Sequence, residues 1–325
     1  MPDSPARSTV SIVIVNWNTR DLLRACLKSL PFDSPALTLD VIVVDNGSTD
    51  GSPEMVAAEF PAVRLIRNSE NVGFVLATNQ GLLAGTGDFL FSLNSDTEVR
   101  PGCIERLVEV ASSDPSIGAV GPRLLNPDGT PQVSVAPFPL VIHRLLPSRF
   151  EHAYNVRVEQ RLLASTAGVS RVDWVSGAAL LFRRDVLDRV GPLDERYYMW
   201  YDDVDWAQKL RKAGYDRVFV ADAAIVHHGR SSARKLDNLA LAQQMFDSEY
   251  TYLRLHAGLA ATWMVFSLRV AKAFLRWLVP LGASRADAAF RLSFHAQRFR
   301  RFCLRPLPGR PPLPPRVPAQ SPPAG

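Results

Sequence analysis

The sequence predicts an α/β fold in which a mostly parallel sheet is flanked by helices and followed by a C-terminal amphipathic helical region. Three observations predict it. Short β-branched runs such as Val10-Ser11-Ile12-Val13-Ile14-Val15 have the near-continuous apolar character of strands buried on both faces of a parallel sheet. Helix-sized segments separate these runs, which calls for right-handed crossovers and puts a ligand crevice at the carboxyl ends of the strands. Beyond Arg254 the composition shifts to a basic, apolar-striped helical pattern.

In chain order, the first strand stops at Asn16-Trp17-Asn18-Thr19. Leu22, Leu23, Cys26, Leu27 and Leu30 then recur at helical spacing, with Thr19 as cap and Pro31 as terminator. Val41-Ile42-Val43-Val44 is a second strand, running into Asp45-Asn46-Gly47-Ser48-Thr49-Asp50. Ser52-Pro53-Glu54 reads as a helix start, with Pro at the first helical position. Val63-Arg64-Leu65-Ile66 and Phe89-Leu90-Phe91-Ser92-Leu93 make the third and fourth strands. Asn126-Pro127-Asp128-Gly129 is a turn signal. Residues 130–170 show little periodicity; with His143, Arg144, Arg149 and Arg157 they are expected beside a second substrate, or equally as a surface excursion with solvated charges.

A chain of 325 residues with 47% hydrophobic content can bury a large core. Cys26, Cys103 and Cys303 lie far apart without metal-type spacing and read as reduced thiols of a cytoplasmic chain. The first residues carry no apolar secretion signal. From Arg254 onward twelve Lys or Arg face the single acid Asp287; that +11 within a total of +5 leaves −6 for residues 1–253. The basic charge belongs to the tail, so nucleic acid is not an expected partner.

The polar residues cluster at strand ends: Asp45 after the second strand, Asn68 to Phe74 after the third, Asn94-Ser95-Asp96 after the fourth. Each alone is an ordinary turn; three at one rim suit diphosphate binding. Neither Gly-x-Gly-x-x-Gly nor a Walker sequence is present to cradle phosphates. A carboxylate on a short turn, Asp96, can instead hold a hard divalent cation on a departing diphosphate. A second acidic centre follows Tyr197-Tyr198-Met199-Trp200-Tyr201, where Asp202, Asp203 and Asp205 crowd into four positions. Like charges beside an apolar collar raise one another's pKa, which poises a carboxylate to take a proton near neutral pH. The alternative is an acidic first helical turn with Asp202 or Asp203 as N-cap.

These motifs resemble family 2 glycosyltransferases of the GT-A fold. The resemblance runs through Asn16-Trp17-Asn18, Val-Val-Asp45-Asn-Gly-Ser-Thr-Asp50, Asn71-Val-Gly73-Phe74 with Asn79, Asn94-Ser-Asp96, Val172-Asp173-Trp174-Val175-Ser176-Gly177, Gly191-Pro192-Leu193-Asp194-Glu195 and the acidic stretch, ending near His227-His228-Gly229-Arg230. It covers roughly residues 8–235, and its second half is most similar to the bacterial rhamnosyltransferase-like branch. It implies a nucleotide-binding sheet, with residues 9–125 as the nucleotide-sugar half and 126–235 as the acceptor half, after a disordered 1–8. Asn16, Asn18, Asp45, Gly73, Phe74, Asn79, Asn94 and Asp96 would bind the donor, Asp45 by accepting from a pyrimidine imide. Asp96 would ligate Mg²⁺ or Mn²⁺ with His227, for which His228 is the competitor and a structural histidine the alternative. The family's usual first acid of the metal motif is Asn94 here. Asp203 would be the general base, and Trp174, Gly177, Trp200, Asp202 and Asp205 would lie on the acceptor side.

The activity so implied is inverting, metal-dependent transfer of L-rhamnose from dTDP-rhamnose, a nucleoside diphosphate sugar, to a lipid-linked or other cell-envelope polysaccharide acceptor. Alternatives are a galactofuranosyl or N-acetylhexosaminyl donor, or a non-catalytic, membrane-associated sugar-nucleotide or glycan-binding module. In the predicted helical region 236–304, residues Ala257 to Leu268 carry no charge, too few to span a bilayer. Leu259, Trp263, Phe266, Val270, Phe274, Trp277 and Leu281 share one helical face, and Arg269, Lys272 and Arg276 another. That pattern suits peripheral attachment to an anionic membrane surface at the cytoplasmic face, or a helix packed on the catalytic domain. Nine prolines in the last twenty residues predict a disordered tail over 305–325.

Overall fold

A computed structural model describes residues 7–139, 148–163, 168–229 and 238–278, with isolated positions 293, 296, 298, 302 and 307. The first half alternates as read: β1 (Ser8–Asn16), α1 (Arg20–Lys28), β2 (Leu37–Asn46), α2 (Ser52–Glu59), β3 (Arg64–Asn68), α3 (Phe74–Ala84) and β4 (Phe89–Asn94). β1 pairs in parallel with β2 and β4, and β2 with β3, so these strands deliver their polar ends to one rim. Alternation along β1 divides the core between two layers. Ile12 and Ile14 face a layer with Leu23, Leu27, Met55 and Leu107, while Val13 faces Val75 and Leu82. Each such side chain buried from water contributes roughly 1.5–3 kcal/mol.

The chain continues through β5 (Thr97–Val99), α4 (Cys103–Ser113), β6 (Ile117–Leu125), β7 (Pro131–Gln132), β8 (Val135–Ala136), α5 (Ser148–Leu163), β9 (Val169–Val172), β10 (Trp174–Val175), β11 (Ala179–Arg183), α6 (Arg184–Val190), α7 (Asp202–Lys212) and β12 (Asp216–His227). The main sheet orders β3-β2-β1-β4-β11-β6-β12-β5, with β7 added to β6 and β9 to β12. β11 runs antiparallel to β4 and β6, whereas β12 is parallel to β6. One sheet therefore carries both halves of the chain, and β8 with β10 forms a separate ribbon.

Three local expectations need correction. The residue before α2 is Gly51 at φ +79°, with Ser52 first in the helix and Pro53 second. Thr19 does hold the N-cap position of α1, its carbonyl accepting the Leu23 N–H at 2.8 Å, but its side chain makes no capping bond and its hydroxyl donates to Asn16 Oδ1 at 2.7 Å instead. Neither Asp202 nor Asp203 caps α7, because Tyr201 at φ +64° holds that position and the three acids fall inside the first turn.

Two further helices, α8 (Asn238–His256) and α9 (Gly258–Leu278), form a hairpin. Cys26 and Cys103 are free, buried thiols. Within α9, Leu259, Trp263, Phe274 and Trp277 of the expected apolar face are exposed, but Phe266 packs inward against Tyr250 and Val270 is half-buried, while Met264, Leu268, Leu275 and Leu278 outside that face are exposed as well. Arg269, assigned to the cationic face, turns inward: its Nη2 donates to both carboxylate oxygens of Glu249, at 2.8 and 2.7 Å, and its guanidinium lies over Phe246. A charge placed there keeps its partner only if packed on α8, so the outward surface is more apolar than the wheel implies. The segment Gly258–Leu275, with mean hydropathy 1.3, is long and apolar enough to cross a membrane by length and composition, unlike the twelve-residue stretch read from the sequence. His143, Arg144, Arg230, Leu281, Cys303 and the Pro-rich end fall outside the described residues, as do the side chains of Arg149 and Arg276.

Candidate active site

The turns after β1 and β2 are tied to each other. Asp45, 2% exposed, accepts from Asn16 Nδ2 on Oδ1 at 3.0 Å and from the Ser48 N–H on Oδ2 at 2.9 Å. Asn18, at φ +54°, accepts the Thr49 N–H on its side chain at 2.7 Å. Asn16, Asn18 and Asp45 thus build the rim, and the residues it presents to the cavity are Val15, Trp17 and Asn46. Asn46 donates to Asn71 Oδ1 at 2.9 Å and to the Gly73 carbonyl at 3.2 Å, and accepts from the Val72 N–H at 3.1 Å. Gly73 is required for two reasons: its φ is +96°, and a Cβ there would sit 2.7 Å from the Tyr198 ring. Phe74 follows it into the cavity wall. Asn79 is displaced from the expected donor site. It is fully buried, donates to the Leu193 carbonyl at 3.0 Å and accepts the Leu193 N–H at 3.1 Å, clamping α3 to the Leu193–Glu195 turn.

Asn94, Ser95 and Asp96 enter the cavity from the β4–β5 turn, which the His228 N–H secures by donating to the Asp96 carbonyl at 2.9 Å. His227 comes from the end of β12, antiparallel to β5, and its Nε2 lies 3.3 Å from Asp96 Oδ1 and 3.5 Å from Asn94 Nδ2. His228, just past the end of β12, pairs instead with Glu98 at 2.7 Å. One oxygen and one imidazole nitrogen converging in a cavity fit a hard divalent cation that takes its remaining ligands from phosphate and water. Among the described residues no group of three or more His, Cys, Asp or Glu is arranged to hold a metal ion.

The acidic centre faces the same cavity. Trp200 and Tyr201 both adopt left-handed backbone, at φ +62° and +64°, an arrangement costing roughly 1–3 kcal/mol per residue that concentrates at working sites. The Phe74 N–H donates to the Tyr198 carbonyl at 2.9 Å, which pins the loop to the start of α3. Asp203 accepts the Gly177 N–H on Oδ2 at 2.9 Å and the Val204 N–H on Oδ1 at 2.8 Å. Burial raises the Asp203 carboxyl and these N–H bonds oppose the rise; burial, then the neighbouring Asp203 charge, pushes Asp202 up to about 8. The backbone donors favour the pair's negative charge on Asp203 over Asp202.

Asp205 is not part of this cavity. It is 1% exposed and is held by His256 Nε2 at 2.7 Å, Lys209 Nζ at 3.1 Å and the Tyr197 hydroxyl at 3.3 Å. The cavity itself, about 500 Å³, takes in Asn94, Asp96, His227, Asp202, Asp203, Trp174, Gly177 and Trp200 together. Its second wall is apolar, with Pro137, Pro139, Met199 and Met245, and includes Asn155. Part of residues 130–170 therefore does reach the site, while Arg157 is exposed. Asn46 and Asn71 sit inside sequence motifs that pointed to the rim, whereas Met245 and Asn155 come from helices whose sequences carry no sign of it.

Residues 11–190 match the family described as Glycosyl transferase family 2. The chain belongs to that family. This glycosyltransferase is 34% identical over 233 residues to N-acetylglucosaminyl-diphospho-decaprenol L-rhamnosyltransferase of Mycobacterium tuberculosis, covering 67% of its own length and 75% of that relative. It is 28% identical over 247 residues to the O-antigen biosynthesis protein RfbC of Myxococcus xanthus, spanning 71% of this chain and 18% of that one. A crystal structure of GalNAc-T7 with UDP, GalNAc and Mn²⁺ is similar in fold, with a TM-score of 0.52 at 19% identity over 69% of this glycosyltransferase and 44% of that chain. The fold is of the GT-A type. The family match ends before Asp203 and His227, so the cavity geometry is what joins those residues to the matched half.

Proposed function

We propose that this glycosyltransferase moves L-rhamnose from dTDP-rhamnose to a lipid-linked or other cell-envelope glycan acceptor, with inversion and with a divalent cation, Mg²⁺ or Mn²⁺. The observation that carries the reading is that Asp96 and His227 share one cavity with Asp203. The similarity to a rhamnosyltransferase named for a lipid-linked N-acetylglucosamine supports the donor and acceptor class.

Asp203 accepts the proton of the acceptor hydroxyl as its oxygen bonds to the anomeric carbon. The bond from that carbon to the nucleoside diphosphate breaks on the opposite side, so configuration inverts. The Gly177 and Val204 N–H groups hold the carboxylate in place, and Asp202 keeps its own proton out of the exchange. Asp96 and His227 would hold a cation, whose chemistry is to neutralise charge building on the departing diphosphate. Asn46 and Asn71 set the rim over which the nucleotide lies, and Trp174, Trp200, Met199 and Met245 form the wall toward the acceptor. The exposed apolar residues of α9, with Lys272, seat the protein on an anionic membrane at the cytoplasmic face.

The deciding experiment measures transfer and donor binding separately, using dTDP-rhamnose, UDP-N-acetylglucosamine and UDP-galactofuranose with Mn²⁺. Asp203→Asn is expected to lower transfer by roughly 10²–10⁴-fold with donor affinity near wild type, and Asp96→Ala to weaken donor binding where Mn²⁺ is present. Full turnover in Asp203→Asn, or donor preference for a UDP sugar, would remove the base assignment or the rhamnose assignment respectively.

A further inference from the structure

The proton on the His227 ring decides what that residue can do in the cavity, because a ring nitrogen bearing hydrogen cannot bind a cation. The hydrogen bonds behind it determine where the proton lies. Thr130 spends its hydroxyl hydrogen on Asp128 Oδ1 at 2.6 Å, so its oxygen accepts from the Asn126 side chain at 3.0 Å. The Pro131 carbonyl, 3.4 Å from the same atom, also accepts only. Both contacts require that atom to be the Asn126 amide nitrogen, which leaves Asn126 Oδ1 to accept from Gln132 Nε2 at 2.9 Å. Gln132 Nε2 further reaches the backbone carbonyl of His227 at 3.3 Å. With its nitrogen facing two acceptors, Gln132 offers Oε1 to Nδ1 of His227, and an oxygen there calls for hydrogen on Nδ1. In the neutral ring the lone pair is then on Nε2, which the Asn94 amide approaches at 3.5 Å and which faces Asp96 Oδ1 at 3.3 Å; two acceptors meeting there call for positive charge between them, a cation or a second ring proton.

We propose that Gln132 and Asn126 are positioning residues that lock His227 in the Nδ1–H tautomer and so preset Nε2 beside Asp96 as a cation ligand. The proposal rests on the reading of Asp96 and His227 as the cation-holding pair. Its physical content is that the cation meets a lone pair already aimed, without first turning the ring or moving a proton. The relay begins in the Asn126-Pro127-Asp128-Gly129 turn and ends at His227, ninety-five positions beyond Gln132, so the turn that looked like a simple connector supports the site.

The test uses the full chain with ¹⁵N-labelled histidine, metal-free at pH 8, and Gln132→Met, which keeps length and volume but removes the acceptor. Long-range proton–nitrogen correlation is expected to show hydrogen on Nδ1 of His227 in the wild type and loss of that preference in Gln132→Met, with Asn126→Ala changed in the same direction. Mn²⁺ affinity in the presence of thymidine diphosphate, read by paramagnetic resonance, is expected to fall roughly 10–100-fold in Gln132→Met while the melting temperature of the remaining fold confirms an intact protein. A Gln132→Met variant that keeps both the Nδ1–H tautomer and wild-type Mn²⁺ affinity overturns the proposal. Unchanged Mn²⁺ affinity in His227→Ala and Asp96→Ala would instead overturn the cation reading itself, and the ligand role proposed for Nε2 with it.

Discussion

Gly177 donates its backbone N–H to Oδ2 of Asp203 at 2.9 Å, and a Cβ on Gly177 would stand 3.1 Å from the Cβ of Asp203. The backbone of one element thus touches the carboxylate of another at a separation only glycine allows without movement. Gly177→Ala displaces Asp203 by a few tenths of an ångström while leaving the charge in place. Turnover is expected to drop roughly tenfold, because small misplacements of a reacting group are costly, with donor affinity and melting temperature little changed. Steady-state rates and donor titration of the variant check this; wild-type turnover would show that Asp203 tolerates the shift.

Asp202 holds a raised pKa, first through burial and then through the adjacent Asp203 charge. An acid raised on folding binds its proton more tightly in the native state, so stability falls as pH rises from the ordinary carboxylate value toward about 8. Below pH 4 both states are protonated and the penalty vanishes. Asp202→Asn is therefore expected to melt higher than wild type at pH 8 and at the same temperature near pH 4. A constant difference at both pH values would mean that Asp202 does not titrate in this range.

Asn79 tests the reassignment of a motif residue from donor contact to strut. With its amide bonded on both sides to Leu193, Asn79→Ala leaves a buried N–H and carbonyl unpaired, a loss of about 2–3 kcal/mol. Chemical unfolding is expected to show that loss, while the affinity of the folded variant for dTDP-rhamnose stays near wild type.

On α9, Phe274 and Trp277 are exposed and 6.0 Å apart between ring centroids. Phe274→Asp with Trp277→Asp is expected to lower co-sedimentation with anionic vesicles at least tenfold while leaving transfer to a water-soluble acceptor analogue intact. Unaltered vesicle binding would place membrane contact elsewhere.

The first four strands and their order of appearance were legible in the sequence, because continuous apolar runs such as Val10–Val15 have one low-energy fate, burial between two layers, whereas β5 to β12 were not read. So was the convergence of three polar turns, since parallel strands deliver their carboxyl ends to one rim. Which residue of each turn faces the cavity was decided by tertiary structure. Asp45 and Asn46 are neighbours, yet Asp45 is spent on Asn16 and Ser48 while Asn46 reaches the site. His227 ends β12 and His228 follows it, yet they pair with different acids, Asp96 and Glu98, and nothing in their spacing says which of them meets Asp96. Asp203 and Asp205 share the first turn of α7, and the partners that bury Asp205 include His256, fifty-one positions away. Periodicity establishes which side chains share a face; only the packed chain establishes what that face meets, because the partners that orient a polar group come from distant sequence.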